Sequence, residues 1–141
     1  GEELKAMARI ESSGKKLTPL ETLIMSALWD ESPAAVKQIQ ERLKSVKPMA
    51  YSTVLTMMRI LRNKGFLVSE RQGKADLYRP VISRDDAGRR SLCEVIDSFF
   101  SGSAEALVSQ LLDSRSLSDE ALKTIRAELD KTLASRERGK K

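Results

Sequence analysis

The chain has 141 residues, enough for one ordinary domain or a small domain with an appendage. Its hydrophobic content is 40%, and no apolar run approaches the roughly 18 residues that a bilayer crossing needs; no basic start leads into an apolar stretch, as it would in a signal peptide. It contains no histidine and a single cysteine, Cys93, which removes the commonest general base, an internal disulfide and any multi-cysteine metal cage.

These absences set the first expectations. With no glycine-rich phosphate loop and no nucleophile elbow, neither an enzyme nor a bound metal or cofactor is expected. A soluble, cytoplasmic protein without membrane association is. The net charge of +5 is unevenly placed. Residues 1–82 carry 14 Lys/Arg against 9 Asp/Glu, whereas residues 83–141 carry 11 of each. Between Lys37 and Arg79 the count is 10 basic to 3 acidic. A positive field confined to one middle segment suits a nucleic-acid-binding face, although a solvated basic surface has the same composition.

Residues 1–16 lack periodicity and read as a flexible lead-in. Thr18-Pro19-Leu20-Glu21 then opens a first helix over 18–30: Thr18 caps, Pro19 suits the first helical position, and Glu21 completes a capping box. Leu20, Leu23, Ile24, Ala27 and Leu28 recur at helical spacing. Ser32-Pro33 breaks the chain, and Ala34-Ala35 is either a short extended piece or the start of the next helix. That second helix carries Val36, Ile39, Leu43 and Val46 and ends before Pro48. A third runs from Tyr51 to Gly65, with Val54, Met57, Met58 and Leu61 as its buried stripe and Gly65 at its left-handed C-cap.

The period then changes. Phe66–Arg71 and Leu77–Val81 are short and rich in β formers, and Gln72–Asp76 separates them, as in a β-hairpin. Ser83-Arg84-Asp85-Asp86 is a second capping box, and the remainder is helical. A fourth helix over 84–101 carries Leu92, Ile96, Phe99 and Phe100. A fifth from Ser103 carries Ala104, Leu107, Val108, Leu111 and Leu112. A sixth, capped by Ser118, is lined by Leu122, Ile125, Leu129 and Leu133. The polar tail from Ala134 to Lys141 is expected to be disordered.

Three helices followed by a two-stranded hairpin are the element order of a winged helix-turn-helix, whose third helix enters the major groove. The fold class expected is mainly α with a small β-hairpin. A winged helix-turn-helix DNA-binding domain occupies 17–82, and a C-terminal helical dimerisation domain occupies 83–133. The outward face of the third helix offers Ser52, Leu55, Thr56, Arg59, Arg62 and Asn63, and Tyr51 and Thr53 join Ser52 as candidate DNA contacts at its N-terminal end. Ser52 and Thr53 suit phosphates, Arg59 a guanine edge or a phosphate, and Leu55 and Thr56 thymine methyls. Arg71 and Lys74 flank Gly73 at the hairpin tip, where they suit the DNA backbone. Phe99, Phe100, Leu107, Leu111, Ile125 and Leu129 form a surplus of apolar surface with no sheet to cover it. A second copy is the natural cover, since two-fold dimers are the commonest oligomers; the same helices folded back on the first domain are the alternative.

Leu17-Thr18-Pro19-Leu20-Glu21 with Leu28-Trp29, then Tyr51-Ser52-Thr53-Val54-Leu55-Thr56 leading to Leu61 and Lys64-Gly65-Phe66, and Gly73 with Tyr78-Arg79-Pro80, resemble the penicillinase-repressor (BlaI/MecI-type) family. The resemblance covers roughly residues 17–133. It implies a bacterial transcriptional repressor on dyad operator DNA, dimeric through its C-terminal helices, controlling β-lactamase or related antibiotic-resistance operons. It further implies relief by a sensor-transducer metalloprotease that cuts the C-terminal domain, by position at Gln110-Leu111. Better-known members carry Asn-Phe there, and some have basic residues at the positions of Ser52 and Leu55. Cys93 alone cannot supply the cysteine-rich metal motif of a copper-responsive branch. Two other functions fit the residues: a winged-helix regulator sensing a small ligand, and a module whose basic face binds an acidic protein.

Overall fold

The computed structural model describes residues 3–5 and 16–140, so most of the lead-in expected over 1–16 lies outside the described residues. The chain divides into two compact units, Gly1–Ser91 and Leu92–Lys141.

In the first unit, α1 (Pro19–Asp30) begins as its sequence dictates. The Glu21 amide donates to Thr18 Oγ1 at 3.2 Å, and the Thr18 amide donates to Glu21 Oε1 at 2.8 Å. Ile24, Met25, Ala27 and Leu28 are buried along one face. The last turn of α1 has no basic residue of its own. Arg42 supplies the cation, donating to the Glu31 carbonyl at 2.7 Å and pairing with its carboxylate at 3.4 Å.

Helix α2 (Val36–Arg42) is shorter than its apolar spacing suggests. The amides of Val46 and Lys47 both turn back to the Leu43 carbonyl, at 3.0 and 2.7 Å, which ends the helix ahead of Pro48. Leu43 is buried, but Val46 is 65% exposed and lies outside the core. Helix α3 (Tyr51–Lys64) buries Val54, Met58 and Leu61 and stops at Gly65, whose φ is +96°. There the Phe66 amide donates to the Leu61 carbonyl and the Gly65 amide to that of Arg62, a Schellman closure.

The hairpin is tighter than expected. Strands β1 (Leu67–Gln72) and β2 (Ala75–Pro80) pair antiparallel from Leu67 opposite Pro80 to Gln72 opposite Ala75. The five-residue connection read over 72–76 is therefore only Gly73-Lys74, with Gly73 at φ +64° in the first central position. A two-residue primed turn follows the strand twist, so pairing runs to the tip. Ala34 forms an antiparallel bridge with Tyr78, its amide and carbonyl both engaged, at 3.0 and 2.8 Å. Ala34 is thus the extended piece, not helix.

The core of this unit joins Ile24, Met25, Leu28, Ile39, Val54, Met58, Leu61, Phe66, Leu67 and Tyr78. Helix α4 (Arg84–Phe99) starts from Ser83, which accepts from the Asp86 amide at 3.1 Å. The unit boundary falls inside α4 rather than at 82–83. Ala87 is buried, and Arg84 bonds Asp30 at 2.8 Å while lying over the Trp29 ring at 5.7 Å. The indole itself donates to the Ile82 carbonyl at 2.9 Å, so the start of α4 is tied to α1.

The second unit contains the rest of α4, then α5 (Ala104–Asp113) and α6 (Asp119–Gly139). The disordered tail expected over 134–141 is corrected: α6 continues through Ala134 to Gly139. Before its final Gly139 that stretch is Ala, Ser, Arg, Glu and Arg, and its helix-forming residues extend an existing helix even without burial. None of the described residues' helices is long and apolar enough to cross a membrane.

Candidate nucleic-acid interface

Helix α3, like α2 before it, begins without a side-chain oxygen cap. Thr18, Ser103 and Ser118 cap α1, α5 and α6 with side-chain oxygens. α3 starts at Ala50 with no side-chain acceptor and no acidic residue in its first turn. The Thr53 amide turns back to the Ala50 carbonyl at 3.1 Å, and the amides of Tyr51 and Ser52 before it have no side-chain cap, a helix start of the kind that receives a phosphate. Ser52 and Thr53 are exposed at this end, and Tyr51 is 50% exposed.

A shallow cleft of about 310 Å³ lies between the start of α2, the outward face of α3 and the hairpin tip. Lys37, Tyr51, Leu55, Arg59, Arg71 and Lys74 all line it, so five of the nine sequence-predicted contact residues converge on one surface. Lys37 was missed because α2 reads as scaffold; its position beside the charged middle segment was the available signal. Asp76 also lines the cleft and pairs with Arg71 at 3.6 Å, and Arg71 Nε donates to the Gly73 carbonyl at 3.3 Å. The tip arginine is thereby oriented and partly neutralised. Leu55 is half-buried against the core and cannot project as fully as its helical position suggests. Thr56 is exposed on α3 but does not line the cleft.

Arg62 is elsewhere. Its guanidinium donates to Ser69 Oγ at 2.9 Å and lies 5.8 Å from the centre of the Tyr78 ring. The structure gives it to the hairpin rather than to the outward face of α3, because the hairpin folds back along the last turns of the helix. One further charged contact fixes α3 from its other end. Lys64 Nζ bonds both oxygens of the buried Glu21 carboxylate, at 2.8 and 2.9 Å. Burial pushes the Glu21 carboxyl up, but Lys64, the Thr18 amide and the Thr18 hydroxyl together hold it below its ordinary value.

In the second unit no described residue from Leu92 onward is buried. Phe99 is 80% exposed, and Leu111 and Leu129 are exposed; Phe100, Leu107 and Ile125 are half-buried. Leu122, Leu129 and Leu133 remain open along α6. Gln110 and Leu111 sit in α5, exposed, three residues from its end. No group of His, Cys, Asp and Glu suited to holding a metal ion occurs among the described residues, and Cys93 is exposed and unpaired by any disulfide.

The family model for the penicillinase repressor matches residues 17–131, from the α1 cap to the middle of α6. The chain belongs to the penicillinase repressor family. It is similar to the transcriptional regulator BlaI of Mycobacterium tuberculosis (strain H37Rv), at 35% identity over 72 residues. That match takes 50% of this chain and 52% of the relative, so it spans about half that protein's length. The methicillin resistance regulatory protein MecI of Staphylococcus aureus (strain N315) is 22% identical over 116 residues, 82% of this chain and 94% of that one. Among solved structures, the complex of hsRosR-S4 has a similar fold, with a TM-score of 0.52 at 19% identity over 86% of this chain and 96% of that one. Across the penicillinase-repressor match, the mainly helical architecture with one β-hairpin is a winged helix followed by helices.

Proposed function

We propose that this chain is a transcriptional repressor that binds dyad operator DNA as a homodimer and blocks promoter access at operons of the β-lactamase or antibiotic-resistance type. The observation that carries this is the cleft in which Lys37, Arg59, Arg71 and Lys74 surround the outward face of an uncapped helix, in a chain of the penicillinase repressor family. Arg59 and the exposed Thr56 read base edges in the major groove. The first turn of α3, Lys37 and the hairpin tip hold phosphates. Dimerisation through α4, α5 and α6 covers Phe99, Leu111 and Leu129, whose unit has no buried residue of its own among those described.

The test is titration of two-fold symmetric duplexes, selected from random sequence, against scrambled duplexes of equal length. Two protomers per selected duplex and at least a hundredfold preference over scrambled DNA are expected. Equal affinity for both would leave only a basic protein-interaction surface.

Relief of repression is proposed to follow cleavage at Gln110-Leu111 by a sensor-transducer metalloprotease. Both residues are exposed, and the α5 turn holding them closes through the Ser114 amide on the Gln110 carbonyl at 3.1 Å, so fraying of one turn frees the bond. Terminal sequencing of the fragment formed in β-lactam-treated cells checks it; an intact chain during full induction rules it out.

A further inference from the structure

The outer half of the hairpin needs a support that its own pairing does not give, because an isolated two-stranded ribbon is marginal in water. Leu67, Val68 and Tyr78 are buried, whereas every residue from Glu70 to Ala75 is exposed. The last anchored rung is Ser69 opposite Tyr78. Ala34 holds Tyr78 through two backbone hydrogen bonds, and Arg62 reaches both members of the rung from α3, bonding Ser69 Oγ and covering the Tyr78 ring. Beyond it the rungs of Glu70, Arg71 and Gln72 carry the chain to Gly73-Lys74. At about 3.4 Å per residue the tip stands roughly 10 Å past the anchor. A tilt of about 10° at that rung then moves Lys74 by nearly 2 Å, more than a direct phosphate contact tolerates.

We propose that Arg62 is a positioning residue that sets the angle of the wing against the recognition helix, and so determines whether Lys74 and Arg71 reach the DNA backbone while α3 sits in the groove. The proposal rests on the DNA-binding reading but assigns Arg62 a role opposite to direct contact: its charge is directed at the hairpin, not at phosphate. A glutamine at this position keeps a planar donor but ends two bonds short of the arginine's Nη1 and places no cation over the Tyr78 ring, so it supports the rung only in part.

Two measurements separate the possibilities. Without DNA, hydrogen exchange at the hairpin amides of residues 70–77 is compared in the parent, Arg62→Gln, Arg62→Ala and Ser69→Ala. Exchange is expected to quicken about tenfold in Arg62→Ala and less in Ser69→Ala and Arg62→Gln, with core amides of α1 unchanged. Unchanged hairpin exchange in Arg62→Ala overturns the positioning role whether or not the protein binds DNA. With operator duplex, Lys74→Ala is measured in the parent and in Arg62→Ala. In the parent it should lower the slope of log affinity against log salt by about one; in Arg62→Ala its further effect should fall below twofold, since the wing no longer delivers Lys74. If instead the losses in Arg62→Ala and Lys74→Ala multiply, Arg62 is a phosphate contact and the proposal is wrong. Absence of any duplex binding by the parent defeats the DNA reading alone, and the exchange result still decides whether Arg62 positions the wing.

Discussion

Replacing Lys64 by alanine removes the only cation bonded to a carboxylate that is almost wholly withdrawn from water. Glu21 has a side-chain exposure of 4% and loses contacts of 2.8 and 2.9 Å, keeping those with the Thr18 amide and hydroxyl. Breaking a buried pair by deleting one partner costs about 3–5 kcal/mol. Here the loss has a ceiling, because the carboxyl can take up a proton instead. With an ordinary pKa of 4.5, protonation at pH 7 costs about 3.4 kcal/mol, at about 1.36 kcal/mol per pH unit. At pH 5 the same escape costs only about 0.7 kcal/mol.

The parent behaves in the opposite sense. Its Glu21 is held below the ordinary value, so the pair's contribution is present above pH 4.5 and fades as pH falls through the lowered folded value. The deficit of Lys64→Ala should therefore be greater at pH 7 than at pH 5 by up to about 2.7 kcal/mol, two pH units at about 1.36 kcal/mol each. Urea denaturation of the winged-helix unit, followed by circular dichroism at both pH values, measures it. For a unit of this size each kcal/mol corresponds to roughly 4–8 °C in Tm, so a thermal scan gives an independent reading. Glu21→Gln in the same background should recover most of the loss, since the neutral amide needs no counter-charge. A deficit identical at pH 5 and pH 7 would mean that lost packing, not an unpaired carboxylate, accounts for the variant.

Arg59→Ala should weaken operator binding by about 1–3 kcal/mol while changing random-duplex binding little, as competition titration would show; equal losses make Arg59 a backbone contact. Gly65→Ala should destabilise the first unit by about 1–2 kcal/mol, because the Schellman closure requires φ +96° and an alanine resists that region. Chemical denaturation checks it, and an unchanged midpoint contradicts the capping argument. Leu111→Asp should run as a monomer in sedimentation and lose operator affinity, with the first unit still folded; a variant that stays dimeric and binds as tightly as the parent removes Leu111 from the interface.

The elements that sequence describes well are those whose signals are local. Thr18 and Glu21 lie three residues apart, and Gly65 directly follows the stripe of Val54, Met58 and Leu61, so α1 and α3 are legible almost to the residue. Errors arise where hydrogen bonding and packing, not hydrophobic spacing or β propensity, decide. Val46 continues the apolar spacing of α2, yet the turn onto the Leu43 carbonyl carries it into solvent. Gln72, Ala75 and Asp76 are poor β formers, but the ladder and the Arg71–Asp76 cross-strand pair keep them in strands. Arg62 occupies an outward helical position, and nothing within a few residues of it announces that Ser69 and Tyr78 will fold back to meet it. Glu21 reads as a capping residue and is one; its second role, as partner of Lys64, depends on a separation of 43 residues.

The second unit follows from a different balance. Ordering each residue costs roughly 1–2 kcal/mol of backbone entropy, and no described side chain beyond Ala87 is buried to offset it. Helical hydrogen bonds alone leave segments as short as α5 marginal, so covering Phe99, Leu111, Leu129 and Leu133 must contribute much of the stability. If a second copy provides that cover, DNA affinity and folding of this unit become linked. Each winged helix on its own grips a half-site through a handful of cations, an interaction that salt weakens steeply. Joined in pairs, the second half-site is engaged at an effective concentration near the millimolar range, which raises avidity by about 10²–10⁴ without any new contact. Losing the joined helices, whether by a charge at Leu111 or by a cut beside it, then removes that factor while leaving Arg59, Lys37 and Lys74 where they were. On the proposed function, repression would then end by acting only on the second unit, in which no described residue is buried.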